Sequence, residues 1–206
     1  TYQGATPLTK NSTTPATILQ KYHITKPFIL YVGVAYPHKN LDGLVRAWQL
    51  FEKTYGGTNQ LVLVGKRNYF YNRLITSADF QACHNIIYTD FVPDDELAAL
   101  YKTADLFVTP SLYEGYTLPS LEAIAHGLPV VASNATCLPE VLGDAALYFD
   151  PTNHAAMAAT IHQGITDHSW REKSRMNGTK LLNKYSATTM AAATIALYHK
   201  TVDNQA

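Results

Sequence analysis

The sequence predicts an α/β fold: a doubly wound, parallel, six-stranded sheet with strand order 3-2-1-4-5-6 and extra helices at its C-terminal end. Three observations predict it. Short apolar runs recur along the chain, and each is apolar at successive rather than alternate positions, as in strands covered on both faces. Stretches of helical periodicity separate these runs, the pattern of a parallel sheet with crossover helices. Right-handed crossovers wind such a sheet in both directions from its middle, and six strands then take that order.

Each element has its own local reason. Phe28 to Gly33 is an apolar run of strand length ending in glycine, the first strand. Asn40 then caps a helix whose apolar positions are Leu41, Leu44, Val45, Trp48 and Phe51, stopped by Gly56-Gly57. Leu61 to Gly65 is the second strand, Tyr69 to Ala82 is helical, and Asn85 to Thr89 is a short third strand. Asp94-Asp95-Glu96 opens the next helix with acids in its first turn, as the helix dipole favours, and it runs to Thr103. Leu106 to Thr109 is strand four, followed by a turn and a helix from Leu118 to His126 closed by Gly127. Leu128 to Ala132 is strand five, Pro139 to Leu142 a helical turn, and Ala146 to Phe149 strand six. Beyond Asp150-Pro151 only helices follow: Asn153 to Thr166, His168 to Lys184 and Ser186 to Val202. Residues 1–26 are polar apart from a short helical pattern near Ala16 to Tyr22 and read as a linker from something upstream; residues 27–206 read as one domain.

Composition narrows the function. Lys and Arg total 16 against 16 Asp and Glu, a balance that argues against a partner bound through its phosphate backbone, so no nucleic acid is expected. Cys83 and Cys137 lie far apart with no metal-type spacing, and no histidine has a cysteine or acid at ligand distance; no metal site and a reducing, cytoplasmic setting are expected. No apolar run approaches the roughly 20 residues that span a bilayer.

The chemistry concentrates after strand four. Glu114 sits in the turn and Glu122 about one turn inside the following helix, with Thr117 at the N-cap position and Pro119 in the first turn. A helix start offers free N–H groups and positive dipole, a seat for phosphate. Carboxylates only accept, so two acids beside an anion find hydroxyls instead: a ribose diol for one, a sugar ring for the other. In doubly wound sheets ligands bind where the strand order reverses, between strands one and four, so topology puts the acid pair in the crevice independently. The turn after strand one runs from Gly33 to Asn40 and lacks Gly-x-Gly-x-x-Gly, which argues against a dinucleotide enzyme. It offers Lys39; the turn after strand two offers Lys66 and Arg67. These are countercharge for a diphosphate, or solvated loop cations. Phe91 and Val92 follow strand three at the far side of the rim, as a seat for a flat base or as the strand's own end. Glu122 also has a bland reading, as an acid complementing the dipole. His126 is read as interacting with the C-terminus of its helix.

Glu114 to Glu122 forms Glu-x7-Glu. With the continuation Ala-Ile-Ala-His-Gly-Leu-Pro-Val-Val-Ala-Ser, with Tyr31-Val32-Gly33 and His38-Lys39-Asn40-Leu41, and with Leu138-Pro139-Glu140-Val141, the chain resembles the C-terminal, nucleotide-sugar-binding domain of retaining GT-B glycosyltransferases of the family 4 type. The resemblance covers about residues 25 to 185. It implies a Rossmann-like fold and a hexose transferred from UDP-sugar or GDP-sugar, without a metal, to an acceptor. That acceptor would be held by an N-terminal domain absent from this chain. Membrane contact, where acceptors are lipid-linked, would run through that other domain. It implies that Glu122 binds the ribose diol and that Glu114 contacts sugar hydroxyls. The N–H groups of Tyr116, Thr117 and Leu118 would hold the distal phosphate, Gly33 and Arg67 would lie at the donor site, and Lys39 and Lys66 would neutralise the leaving group. Phe91 and Val92 would border the base. Thr1 to Gly4 would join the domains, and the last helix would pack across the hinge. Many members have Arg after the strand-one glycine; here that residue is Val34, which shifts the load to Lys66 or Arg67. A 2-epimerase of the same fold and a non-catalytic nucleotide-sugar-binding domain are the alternatives.

Overall fold

Strand residues alternate between two apolar layers. Ile29, Tyr31, Leu61, Leu63, Leu106 and Val108 face one core, while Leu30, Val62, Val64, Phe107 and Val130 face the other. Both faces are covered, which is why the strands are apolar at successive positions. The computed structural model describes residues 14–25, 27–56 and 59–203. The expected joining segment Thr1 to Gly4, and Gly57 of the expected helix stop, lie outside them.

The strands are β1 (Phe28–Val32), β2 (Gln60–Val64), β3 (Ile86–Asp90), β4 (Leu106–Thr109), β5 (Val130–Ser133) and β6 (Ala146–Phe149). They form one parallel sheet in the order β3-β2-β1-β4-β5-β6, the order the sequence predicts. The helices are α1 (Pro15–Lys21), α2 (Leu41–Tyr55), α3 (Tyr69–Ile75), α4 (Ala78–Gln81), α5 (Asp94–Thr103), α6 (Leu118–Ala125), α7 (Leu138–Leu142), α8 (His154–Thr166), α9 (His168–Lys184) and α10 (Ala187–Asp203). On one face α2, α3 and α8 pack through residues such as Trp48, Tyr71 and Ile161; α5, α6 and α7 cover the other through Leu100, Leu121 and Leu142. Ile18 and Ile24 are buried in the second layer, and Lys21 and Tyr22 bond Glu96 of α5, so α1 is fastened to the domain.

Two local differences between prediction and structure bear on how the turns are held. The helix expected over Tyr69 to Ala82 is two helices. Thr76 turns its hydroxyl back to the Asn72 carbonyl at 2.8 Å, and Ser77 accepts from the Phe80 N–H at 3.2 Å, starting α4 afresh. These hydroxyls compete with the ladder and divide it.

Asn40 does stand before α2, but its side chain does not cap that helix. Its backbone is left-handed (φ 58°), and Nδ2 donates to the carbonyls of Pro110 (3.0 Å) and Pro151 (2.9 Å), joining the ends of β4 and β6 to the turn after β1. Gly43 leaves the space: a Cβ there would stand 2.4 Å from Asn40 Oδ1. Asn40→Ala removes both bonds and puts alanine in a left-handed conformation, an expected loss of about 2–3 kcal/mol. Asn40→Gly is expected to recover the backbone part alone. Thermal unfolding of the two variants checks the split.

Candidate active site

β1 and β4 pair in the middle of the sheet, so the strand order reverses between them and their following turns stand side by side. The two turns are laced together. The Leu112 N–H donates to the His38 carbonyl at 2.8 Å. Lys39 Nζ donates to both carboxylate oxygens of Glu114, at 2.7 and 2.8 Å, and the Ser111 hydroxyl donates to Oε1 at 2.8 Å. The Glu114 side chain is 10% exposed and that of Lys39 21%. A carboxylate that deep needs a partner of opposite charge and further hydrogen bonds, and here it has both. The sequence reading aimed Lys39 at phosphate; the structure brings it onto Glu114.

Glu122 lies one turn into α6. Thr117 occupies the N-cap position without capping: its hydroxyl pairs with that of Ser120 at 2.6 Å and makes no bond to the helix's first N–H groups. Thr117 and Leu118 stand at the start of α6, where the first N–H groups of a helix gather. Glu122 is half-buried and accepts from the Tyr101 hydroxyl at 3.0 Å; burial raises its pKa, and the Tyr101 bond pulls it partly back. His126 ends the helix as a ring stacked on Tyr101, 5.5 Å between centroids, and burial lowers its pKa. It is thus held toward its neutral form rather than as a cation facing the helix dipole.

Across the rim, Lys66, Arg67, Asp90 and Phe91 line an open cleft of about 580 Å³. Among the described residues Lys66 has no ion-pair partner, whereas Arg67 lies 3.6 Å from Asp90. Asp90 is left-handed (φ 65°), and its Oδ1 accepts the N–H groups of Arg67 (2.8 Å) and Phe91 (2.7 Å), which lower its pKa. Phe91 is 62% exposed, while the Val92 side chain is 3% exposed and belongs to the core. Of that pair, Phe91 offers an apolar face to the cleft. Gly33 is held by its N–H to the Val64 carbonyl at 2.9 Å, and its carbonyl accepts from the Tyr71 hydroxyl at 2.8 Å.

Sequence reasoning did not single out Tyr101, Asp90 or Ser111 as site residues. Ser111, three positions before Glu114, had a local signal, since a hydroxyl at that spacing in a turn reaches the acid. Asp90 had a weaker one, an acid ending an apolar run where left-handed backbone is tolerated. Tyr101 had none: it reaches Glu122 from a different helix. Among the described residues, no three His, Cys, Asp or Glu side chains come together as metal ligands, and no helix is long and apolar enough to cross a membrane.

Comparison with known proteins adds an independent finding. The sequence profile described as glycosyl transferases group 1 matches residues 17–181. The chain is 39% identical over 183 residues to an O-antigen chain mannosyltransferase B of Escherichia coli, covering 88% of this chain and 48% of that protein. It is 31% identical over 169 residues to a serotype-specific mannosyltransferase WbdA of the same species, covering 81% of this chain and 21% of the relative. The chain thus spans about half the length of the first relative and about a fifth of the second. Among solved structures, it superposes on a sucrose-phosphate synthase from Thermosynechococcus elongatus with a TM-score of 0.77 at 24% identity, over 98% of this chain and 52% of that one. A glycosyltransferase from Rickettsia africae gives 0.78 at 21% identity, over 94% and 54%. These two likenesses are of fold: the six-stranded parallel sheet is that of a Rossmann-like GT-B domain. With four-fifths of its length matched by the profile, the chain belongs to the group 1 glycosyl transferases.

Proposed function

We propose that this chain is the donor-binding domain of a retaining hexosyltransferase of the family 4 type, working with an acceptor-binding domain N-terminal to it. The observation that supports this best is Glu114, a nearly buried carboxylate at the switch point, gripped by Lys39 and Ser111 beside the start of α6. The diphosphate of a nucleotide sugar lies at the start of α6 near Tyr116, Thr117 and Leu118. Glu122 takes the ribose hydroxyls, and Phe91 covers one face of the base. Glu114 accepts from the sugar's hydroxyls while Lys39 stands between acid and phosphate. In transfer, the bond from the sugar's anomeric carbon to the phosphate oxygen breaks with its electron pair going to the diphosphate. The acceptor oxygen bonds the same face of that carbon, and its proton leaves with the diphosphate. Lys39, Lys66, Arg67 and the helix start stabilise the charge that develops, so this reading uses no metal ion.

Two relatives are named mannosyltransferases, one of them for the O-antigen chain, which makes a mannosyl donor and polysaccharide synthesis the preferred substrate class. The reading puts the domain in the cytoplasm, with any membrane contact made through the acceptor half. By itself the chain is expected to bind nucleoside diphosphates and to transfer nothing. Calorimetry with UDP, GDP, UDP-glucose and GDP-mannose is expected to find one nucleotide bound with a Kd between about 1 µM and 1 mM, roughly −8 to −4 kcal/mol. A folded chain that binds none of the four removes this reading.

A further inference from the structure

The end of β5 and the loop after it grip the turn that carries Glu114 by its backbone. Ser133, fully buried, donates to the Ser111 carbonyl at 2.5 Å. The Thr136 hydroxyl accepts from the Glu114 N–H at 3.0 Å and donates to the Glu114 carbonyl at 3.0 Å. The Cys137 thiol donates to that same carbonyl at 3.2 Å, filling its second lone pair. Burial is the main reason this thiol's pKa is raised, with Glu114 adding to it, so it keeps its proton.

Thr136 is unusual on its own terms. Its φ is 50°, in the left-handed region, where a β-branched residue is an outlier. It is exposed, so no core contact imposes that backbone. Strain of this kind persists where the surroundings over-determine it, and such residues gather at functional sites. What the conformation achieves here is the double bond to Glu114. With Lys39 and Ser111 holding the carboxylate and Thr136 the main chain, Glu114 is fixed at both ends.

We propose that Thr136 is a positioning residue for Glu114 and that the β5–α7 loop thereby sets which donor sugars are accepted. The proposal rests on the donor-binding reading above. A carboxylate reads ring hydroxyls by distance and angle, and a turn free to shift by a fraction of a bond length would weaken that selection without disturbing the phosphate seat on α6.

The test uses Thr136→Ser, Thr136→Val and Thr136→Gly in the full chain, with two measurements. Hydrogen exchange at the Glu114 amide is expected to be slow in wild type and Thr136→Ser, and at least about tenfold faster in Thr136→Val and Thr136→Gly. Calorimetry is expected to show the preference for nucleotide sugar over plain nucleotide falling by about fivefold to tenfold in Val and Gly. The plain nucleotide itself should stay within about twofold, and Ser should match wild type. Thr136→Gly removes the backbone strain that Thr136→Val retains, so it keeps the test decisive if Thr136→Val is unstable. Slow exchange and full sugar preference in a folded Gly variant would overturn the role of Thr136 alone. Equal weakening of both ligands would also overturn it, as a general structural effect. A wild-type chain with no preference for any sugar-bearing nucleotide would instead bring down the donor-binding reading, and this proposal with it.

Discussion

Glu114→Ala is expected to separate the two halves of the donor. It removes the carboxylate that accepts from sugar hydroxyls, so the nucleotide sugar should bind about 10-fold to 100-fold more weakly, the range for losing hydrogen bonds to a charged group. The plain nucleoside diphosphate should bind as well as before or better. In the wild type Lys39 spends its ammonium on both oxygens of Glu114, and the variant releases that charge toward the phosphates. Glu122→Ala is expected to behave in the opposite way, weakening plain nucleotide and nucleotide sugar together by about tenfold through the ribose. Titrating both variants with UDP, GDP and their sugars decides the matter: equal effects of Glu114→Ala and Glu122→Ala on plain nucleotide would refute this division of labour.

Gly65→Ala is expected to be among the most damaging single changes in the chain. An added Cβ would stand 1.9 Å from the Gly33 carbonyl oxygen, a backbone atom that no rotamer change can withdraw. It would also meet the Tyr71 hydroxyl at 2.6 Å, the group that holds the same carbonyl. Relief requires moving the turn after β1 away from the turn after β2, which pulls on the parallel pairing from Phe28 to Val32. The cost should reach about 3 kcal/mol or more, the upper end of overpacking, and lower the midpoint of thermal unfolding by roughly 10 °C for a chain of this size. Differential scanning calorimetry measures it directly. A shift under about 2 °C would mean that the close approach of these two turns is not fixed in solution.

Much of this architecture is legible in the residues themselves. The six strands can be read because burial on both faces leaves each an unbroken apolar run, as in Leu61 to Val64. The helices follow from spacing and caps: Leu44, Val45, Trp48 and Phe51 mark the buried face of α2, and Asn68, Asn153 and Asp167 cap their helices through side-chain bonds. The misreadings share one cause. Thr76, Asn40 and Thr117 each carry a small polar group with a choice of partners, and in each the alternative partner prevailed. Thr76 bonds back into its own helix, Asn40 bridges two carbonyls 70 and 111 residues away, and Thr117 pairs with Ser120.

The strand order, the reversal between β1 and β4 and the two acids on either side of a helix start were therefore determined by the sequence alone. They depend on periodicity, on connection handedness and on residues within one turn of each other. Apart from Ser111, three residues before Glu114, the groups that hold those acids were decided only by the tertiary structure. Lys39 is 75 residues from Glu114, Thr136 is 22 away, and Tyr101 is 21 from Glu122. Each contact joins loops or helices that meet only because β1, β4 and β5 are neighbours in register, and a hydrogen bond between such partners leaves no periodic trace along the chain.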